Sequence, residues 1–182
     1  MSFSFSMFEI SKRLLYYKRK DIQEALLYTS LNREVGIRYG DNGYGKRPDI
    51  LMYENDILEA VKAGATSFHI SEERWENPLD LSTGMRKIEQ DALRTGWDLV
   101  LDIDCPYWKI SKLSSHLFIV ALKRHNIKSI SCKFSGNKGF HIGVPFEAFP
   151  KEINGAPKKN WFPAGRKKIA LYVLVYISNN LI

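Results

Sequence analysis

The chain has 182 residues, 45% of them hydrophobic, and 27 Lys and Arg against 20 Asp and Glu give a formal net charge of +7. That length suits one well-cored domain and is short for two. The basic balance favours an anionic partner, with 13% aromatic residues offering surfaces on which bases stack. Cys105 and Cys132 are the only cysteines, too few for a disulfide framework, which fits an intracellular setting in cytoplasm, nucleoid or nucleus. Met1–Met7 lacks the basic start and apolar block of a signal peptide. The longest apolar run, Ala170–Ile177, is too short to span a bilayer, so no membrane partner is expected.

From Phe8 to Leu27, apolar residues recur at three- and four-residue spacing around the basic run Lys18–Lys20. Two short helices meeting near Lys20 are predicted, the second capped by Asp21. In Asn32–Tyr39 the residues Val35, Ile37 and Tyr39 alternate with Glu34, Gly36 and Arg38 as on a half-buried strand. Gly40–Gly45 then forms a loop without phosphate-binding glycine spacing. A helix is predicted over 55–63, ended by Gly64, then a short strand over 66–70 in which His69 is structural. Glu72–Pro78 reads as a polar connection and Met85–Arg94 as another helix.

Asp98–Asp104 is an apolar strand pattern ending in two carboxylates. On a strand Leu99, Leu101 and Ile103 point one way and Val100, Asp102 and Asp104 the other. The two Asp Cα atoms then lie about 6.5 Å apart, close enough for both carboxylates to reach one divalent cation. Alone, such a pair also fits an exposed strand end with solvated side chains. Pro106 stops the strand, and an amphipathic helix over 109–125 follows, with Ile110, Leu113, Leu117, Val120, Ala121 and Leu122 on its apolar face. Cys105 and His116 lack the C-x-x-C or H-x-H partners of a metal site and are expected to be buried and unreactive.

A strand over 128–134, a turn at Gly136–Gly139 and a returning strand over 140–144 predict a β-hairpin with Ser135, Lys138 and His141 at its turn. The helix between two strands suggests a crossover packed on a sheet. Lys151–Lys168 carries Lys158, Lys159, Arg166, Lys167 and Lys168 with Trp161 and Phe162 among them, a composition suited to a phosphate backbone. Pro163 starts a last helix with Ile169, Tyr172, Val173 and Tyr176 on its apolar face. The expected fold is α/β of the α+β kind, a mixed sheet core flanked by helices in a single domain over 1–182. The motifs fall within about 30–148, and 149–182 is basic and helical.

Paired carboxylates, a Ser-Gly-Asn-Lys-Gly-Phe-His hairpin and an Arg-Glu strand share one chemical logic. Transfer from a nucleoside triphosphate needs cations on the phosphate oxygens and donors to neutralise the departing pyrophosphate. These three motifs occur as Asn32-Arg33-Glu34 with Ile37-Arg38-Tyr39, Leu101-Asp102-Ile103-Asp104, and Ser135 through His141, after the pair Tyr16-Tyr17. In that order, over roughly residues 15 to 145, the chain resembles the catalytic small subunit of archaeal and eukaryotic DNA primases, in the archaeo-eukaryotic primase superfamily.

The resemblance implies a primase catalytic domain that makes short primers on a single-stranded DNA template by two-metal phosphoryl transfer. Asp102 and Asp104 would be ligands of Mg2+ or Mn2+; the family's small subunits usually also carry a Cys/His zinc knuckle, for which this chain lacks ligands, so no zinc is expected. Catalytic His141, together with Ser135, Gly136 and Lys138, would contact the nucleotide phosphates, with Glu34 and Arg38 beside the same pocket. A primase large subunit or a fused equivalent is the implied protein partner. The family adds a third carboxylate well downstream of the histidine, whereas only Glu147 and Glu152 follow His141 here. The resemblance thus implies a chain truncated at its C-terminus. A primase-polymerase of repair or plasmid replication and a non-catalytic nucleic-acid-binding module are the alternatives.

Overall fold

In the computed structural model the described residues are 2–153 and 155–182, with side chains described from Phe8 onward except at 154. The side chains of Met1–Met7, on which the signal-peptide reading rests, therefore lie outside the described residues. Helices and several small sheets make the fold α+β. The chain forms two compact units, Met1–Thr95 and Gly96–Ile182.

In the first unit α1 (Ser2–Tyr17) and α2 (Lys20–Ser30) meet at the predicted junction. Asp21 is not the cap. It stands in the first turn of α2 and accepts from the Arg19 guanidinium at 3.1 and 2.6 Å, because Arg19 takes the extended N-cap position. β1 (Val35–Arg38) pairs antiparallel with β2 (Ser67–Ile70), and α3 (Glu54–Lys62) precedes β2. Asp56 holds the start of α3 by accepting from the amides of Met52 and Tyr53. Val35, Ile37, Leu51, Ile57 and Ala65 form the core. Each of the four larger aliphatics contributes about 1.5–3 kcal/mol on burial.

The segment read as a polar connection contains β3 (Glu73–Trp75) instead, and α4 (Lys87–Leu93) runs into β4 (Arg94–Trp97). The buried Arg94 accounts for this polarity. Its guanidinium donates to Glu73 at 3.0 and 2.7 Å, pairs with Asp91, and lies over the Trp75 ring. Charged residues here serve the interior, and charge alone made the segment look like solvent-facing loop.

The second unit is built on β5 (Leu99–Asp104), α5 (Trp108–Arg124), β6 (Ser131–Phe134) and β7 (Gly139–Val144). The sheet order is β5-β7-β6 with both neighbouring pairs antiparallel, so β5 and β6 run parallel with β7 between them. α5 is the crossover that joins those two parallel strands. Two-residue strands β8 (Glu152–Ile153) and β9 (Ala156–Pro157) follow, then α6 (Ala164–Asn180).

Leu99 and Leu101 of β5 and Ile142 and Val144 of β7 pack with Trp97, with Phe118, Ala121 and Leu122 of α5, and with Val173 and Ile177 of α6. The helices thus cover one face of the sheet. The buried stripe of α5 differs from the predicted one: Ser111, Ser115, Phe118, Ala121 and Leu122 are buried, while Ile110 and Leu113 are exposed. Ser115 Oγ donates to the Ser111 carbonyl at 2.8 Å, which satisfies that hydroxyl inside the fold. His116 consequently lies on the outside, and Cys105 is half-buried, so neither is the buried residue expected. On α6 likewise Tyr172 is exposed, its hydroxyl 2.8 Å from Nε2 of His125.

Candidate active site

The alternation on β5 is the predicted one. Leu99 and Leu101 are buried and Ile103 is half-buried, while Val100, Asp102 and Asp104 are exposed on the opposite face. β7 brings His141 directly opposite Asp102, with His141 Nε2 3.5 Å from Asp102 Oδ1. β6 in turn places Lys133 opposite His141. Carboxylate, imidazole and ammonium therefore form one row across three strands, on the face that α5 and α6 leave uncovered.

Gly139 sets how closely the strands approach at the carboxylate end. It pairs with Asp104, and a Cβ at that position would overlap the Ile103 carbonyl oxygen. Cys105 N–H donates to the Lys138 carbonyl at 3.4 Å, which ties the turn to the residue after Asp104. Lys138 and Asp104 are thereby held at one end of the sheet.

Ser135 organises that turn. Its amide donates to Gly139 O at 2.8 Å, and its Oγ accepts from the Gly139 amide at 3.1 Å and, more weakly, from Asn137 at 3.5 Å. Gly136 has φ +91°, a conformation that favours glycine. Two turn amides are thus engaged internally. The Ser135 hydroxyl proton and the side chains of Lys138 and His141 remain to meet an anion.

Glu34 stands just before β1 and Arg38 ends it, both in the first unit. Glu34 is buried and accepts two 2.7 Å bonds from Arg47, whose guanidinium keeps its proton more firmly through that pairing. Gly36 makes room for this, since a Cβ there would meet the Tyr44 ring at 3.2 Å. Glu34 and Arg47 line a groove of about 400 Å³ with Ser71, Glu73 and Trp75. Arg33 donates to the carbonyls of Ser71 and Glu72, a structural use. Arg38 is exposed, and its charge together with burial lowers the pKa of His69, burial being the larger cause.

The basic segment is only partly available to a ligand. Lys158 Nζ donates to the carbonyls of Phe146 and Phe149 at 2.7 and 2.9 Å, so its ammonium ties down a loop. Arg166 lies over Phe162 and Lys168 over Trp161, while Lys167 is exposed and Lys159 half-exposed. Sequence reasoning missed Lys133 and Arg47 as neighbours of the predicted site residues. Lys133 was legible in part, because it shares parity with Ser131 and Ser135, but its register against His141 was not.

Among the described residues no three His, Cys, Asp or Glu side chains gather as a metal cage. The two carboxylates do fit a hard divalent cation of the Mg2+ kind, which is commonly held by one or two carboxylates with substrate phosphates completing its shell. No described helix is long and apolar enough to cross a membrane.

No protein-family model matches the sequence. An uncharacterized protein of Methanocaldococcus jannaschii, MJECS07, is similar, with 26% identity over 161 residues. The alignment takes in 80% of this chain and 35% of that protein, so the chain spans about a third of the length of the relative it matches.

Proposed function

We propose that the chain is a primase-like nucleotidyltransferase domain, which binds a nucleoside triphosphate at Asp102, Asp104 and His141 and joins nucleotides on a single-stranded DNA template. The observation that carries this reading is the row of Asp102, His141 and Lys133 on an uncovered sheet face, beside a Gly-Lys turn latched to the end of the carboxylate strand. In the reaction a 3′-hydroxyl oxygen bonds to the α-phosphorus, the bond from that phosphorus to pyrophosphate breaks, and the hydroxyl proton leaves to solvent.

Asp102 and Asp104 would hold Mg2+ or Mn2+. When bound, the cation supplies charge neutralisation on the phosphate oxygens and acidity to the attacking hydroxyl. His141 and Lys138 offer donors to the non-bridging oxygens, and the Ser135 hydroxyl adds another. Lys133 adds positive charge on the same face, countering the negative charge of the departing pyrophosphate. A primase large subunit, or an equivalent domain in the same polypeptide, is the partner this reading expects. The second reading, a nucleic-acid-binding module without catalysis, is favoured by the lack of a third carboxylate near Asp102 and Asp104 among the described residues.

The test is a titration with a nucleoside triphosphate, with and without Mn2+, on the wild type and on Asp102→Ala/Asp104→Ala. Metal-dependent binding that the double substitution weakens about tenfold or more is expected. Equal binding by both proteins refutes the role given to the carboxylates.

A further inference from the structure

Trp108 at the start of α5 forms an aromatic cluster with Phe134 and Phe140 of the hairpin that carries His141. Trp108 lies 5.2 Å from Phe140 at a 37° tilt, and Phe134 meets both edge-on at 5.5 and 5.8 Å. Large rings so mutually supported are usually interior. Here Trp108 is 54% exposed and Phe134 49%, with neighbouring Tyr107 at 68%. β6 is also the edge strand of its sheet, and all four of its residues are exposed.

The chain that supplies these rings is strongly basic, and the nearest acids on β5, Asp102 and Asp104, point to the other face of the sheet. Residues 105–182 carry thirteen Lys and Arg and only two acids, Glu147 and Glu152, and α5 contains no acid at all. Lys109 follows Trp108 directly, and Lys112 stands one helical turn beyond it on the same side. Lys138 closes the turn after Phe134, while Lys133 alternates to the other face of the sheet. All four are exposed, and none has an ion-pair partner among the described residues. The 151–168 segment contrasts with this, because there Arg166 and Lys168 lie over their own aromatic rings.

We infer that this patch is a stacking platform for single-stranded nucleic acid, with bases on Trp108 and Phe134 and the phosphates along Lys109, Lys112 and Lys138. Pre-positioned rings cost little entropy on binding, and base stacking on aromatic side chains tolerates any sequence. Phe134 pairs with Phe140, next to His141 on β7, so a strand held here lies against one face of the hairpin whose other face carries the proposed nucleotide site. An apolar protein partner would gain nothing from the unpaired lysines. The inference rests on the template-binding part of the proposed function, and it is tested without metal or nucleotide so that it stands or falls apart from the triphosphate site.

The measurement is fluorescence anisotropy of labelled oligo(dT) with the full chain, alongside thermal melting. Trp108→Ala/Phe134→Ala is expected to bind about tenfold or more weakly, Trp108→Tyr to retain most of the affinity, and Lys109→Gln/Lys112→Gln to flatten the salt dependence. Photocrosslinking of a bromouracil oligonucleotide to the wild type should mark the peptides holding Trp108 or Phe134, a readout independent of how the variants fold. Wild-type affinity in the aromatic variant overturns the inference. So does crosslinking confined to 151–168, or the absence of oligonucleotide binding, which would leave the patch to a protein partner.

Discussion

Asp102 and His141 face each other across β5 and β7, with His141 Nε2 3.5 Å from Asp102 Oδ1. The separation is long for a hydrogen bond and suits two side chains that share a third body. Removing the imidazole should therefore affect the anion bound there more than anything bound elsewhere. His141→Ala is expected to weaken triphosphate binding about tenfold, the worth of one charge-assisted hydrogen bond, and to leave oligonucleotide affinity within a factor of about two. Parallel titrations check this, and the reverse pattern would move His141 out of the nucleotide site.

Gly139 has no room for a side chain, because the Ile103 carbonyl occupies the position a Cβ would take. Gly139→Ala must push β7 away from β5 at the Asp104 end. The expected cost is about 2 kcal/mol or more, read as a lower melting temperature, with triphosphate binding lost as Lys138 and Asp104 separate. Unchanged stability would show that the strands do not approach as described.

Arg94 is fully buried and spends its guanidinium on Glu73 and Asp91. Arg94→Ala leaves both carboxylates without that partner and is expected to cost about 3 kcal/mol in denaturant unfolding. Arg94→Ala with Glu73→Ala should recover part of the loss. A double variant as unstable as the sum of the single ones would remove the coupling.

His69 sits beside Ser67 Oγ at 2.9 Å, and burial first, then the Arg38 charge, lowers its pKa. The unfolded chain then takes up a proton at this residue more readily than the folded one. The stabilising contribution is fully present above about pH 6.5, the ordinary imidazole value, and is lost as pH falls through the lower folded value. An NMR titration should give His69 a midpoint below that ordinary value, and Arg38→Gln should raise it only partway, since burial remains. A midpoint at or above the ordinary value contradicts the described surroundings.

The elements that carry the site were legible in the sequence because period-two alternation is a strong signal. Leu99 through Asp104 and the Ser135–His141 hairpin were both placed from it, and so was the sharing of one face by Asp102 and Asp104. Register was not legible: nothing local says that His141 sits opposite Asp102 or that Lys133 completes the row, since pairing is decided between strands distant in sequence. Helix faces were misjudged where small polar residues are buried, as at Ser111 and Ser115, because packing space there outweighs hydrophobicity. Glu73 and Arg94 were missed for a related reason, a charged pair that is satisfied inside the fold.

The most direct measurement of the central claim is Mn2+ broadening of the four histidine signals in the presence of a nucleoside triphosphate. His141 is expected to broaden at the lowest Mn2+ concentrations, and Asp102→Ala/Asp104→Ala to abolish the effect. A sharp His141 signal at Mn2+ concentrations that saturate triphosphate binding would contradict the assignment of these carboxylates as the cation site.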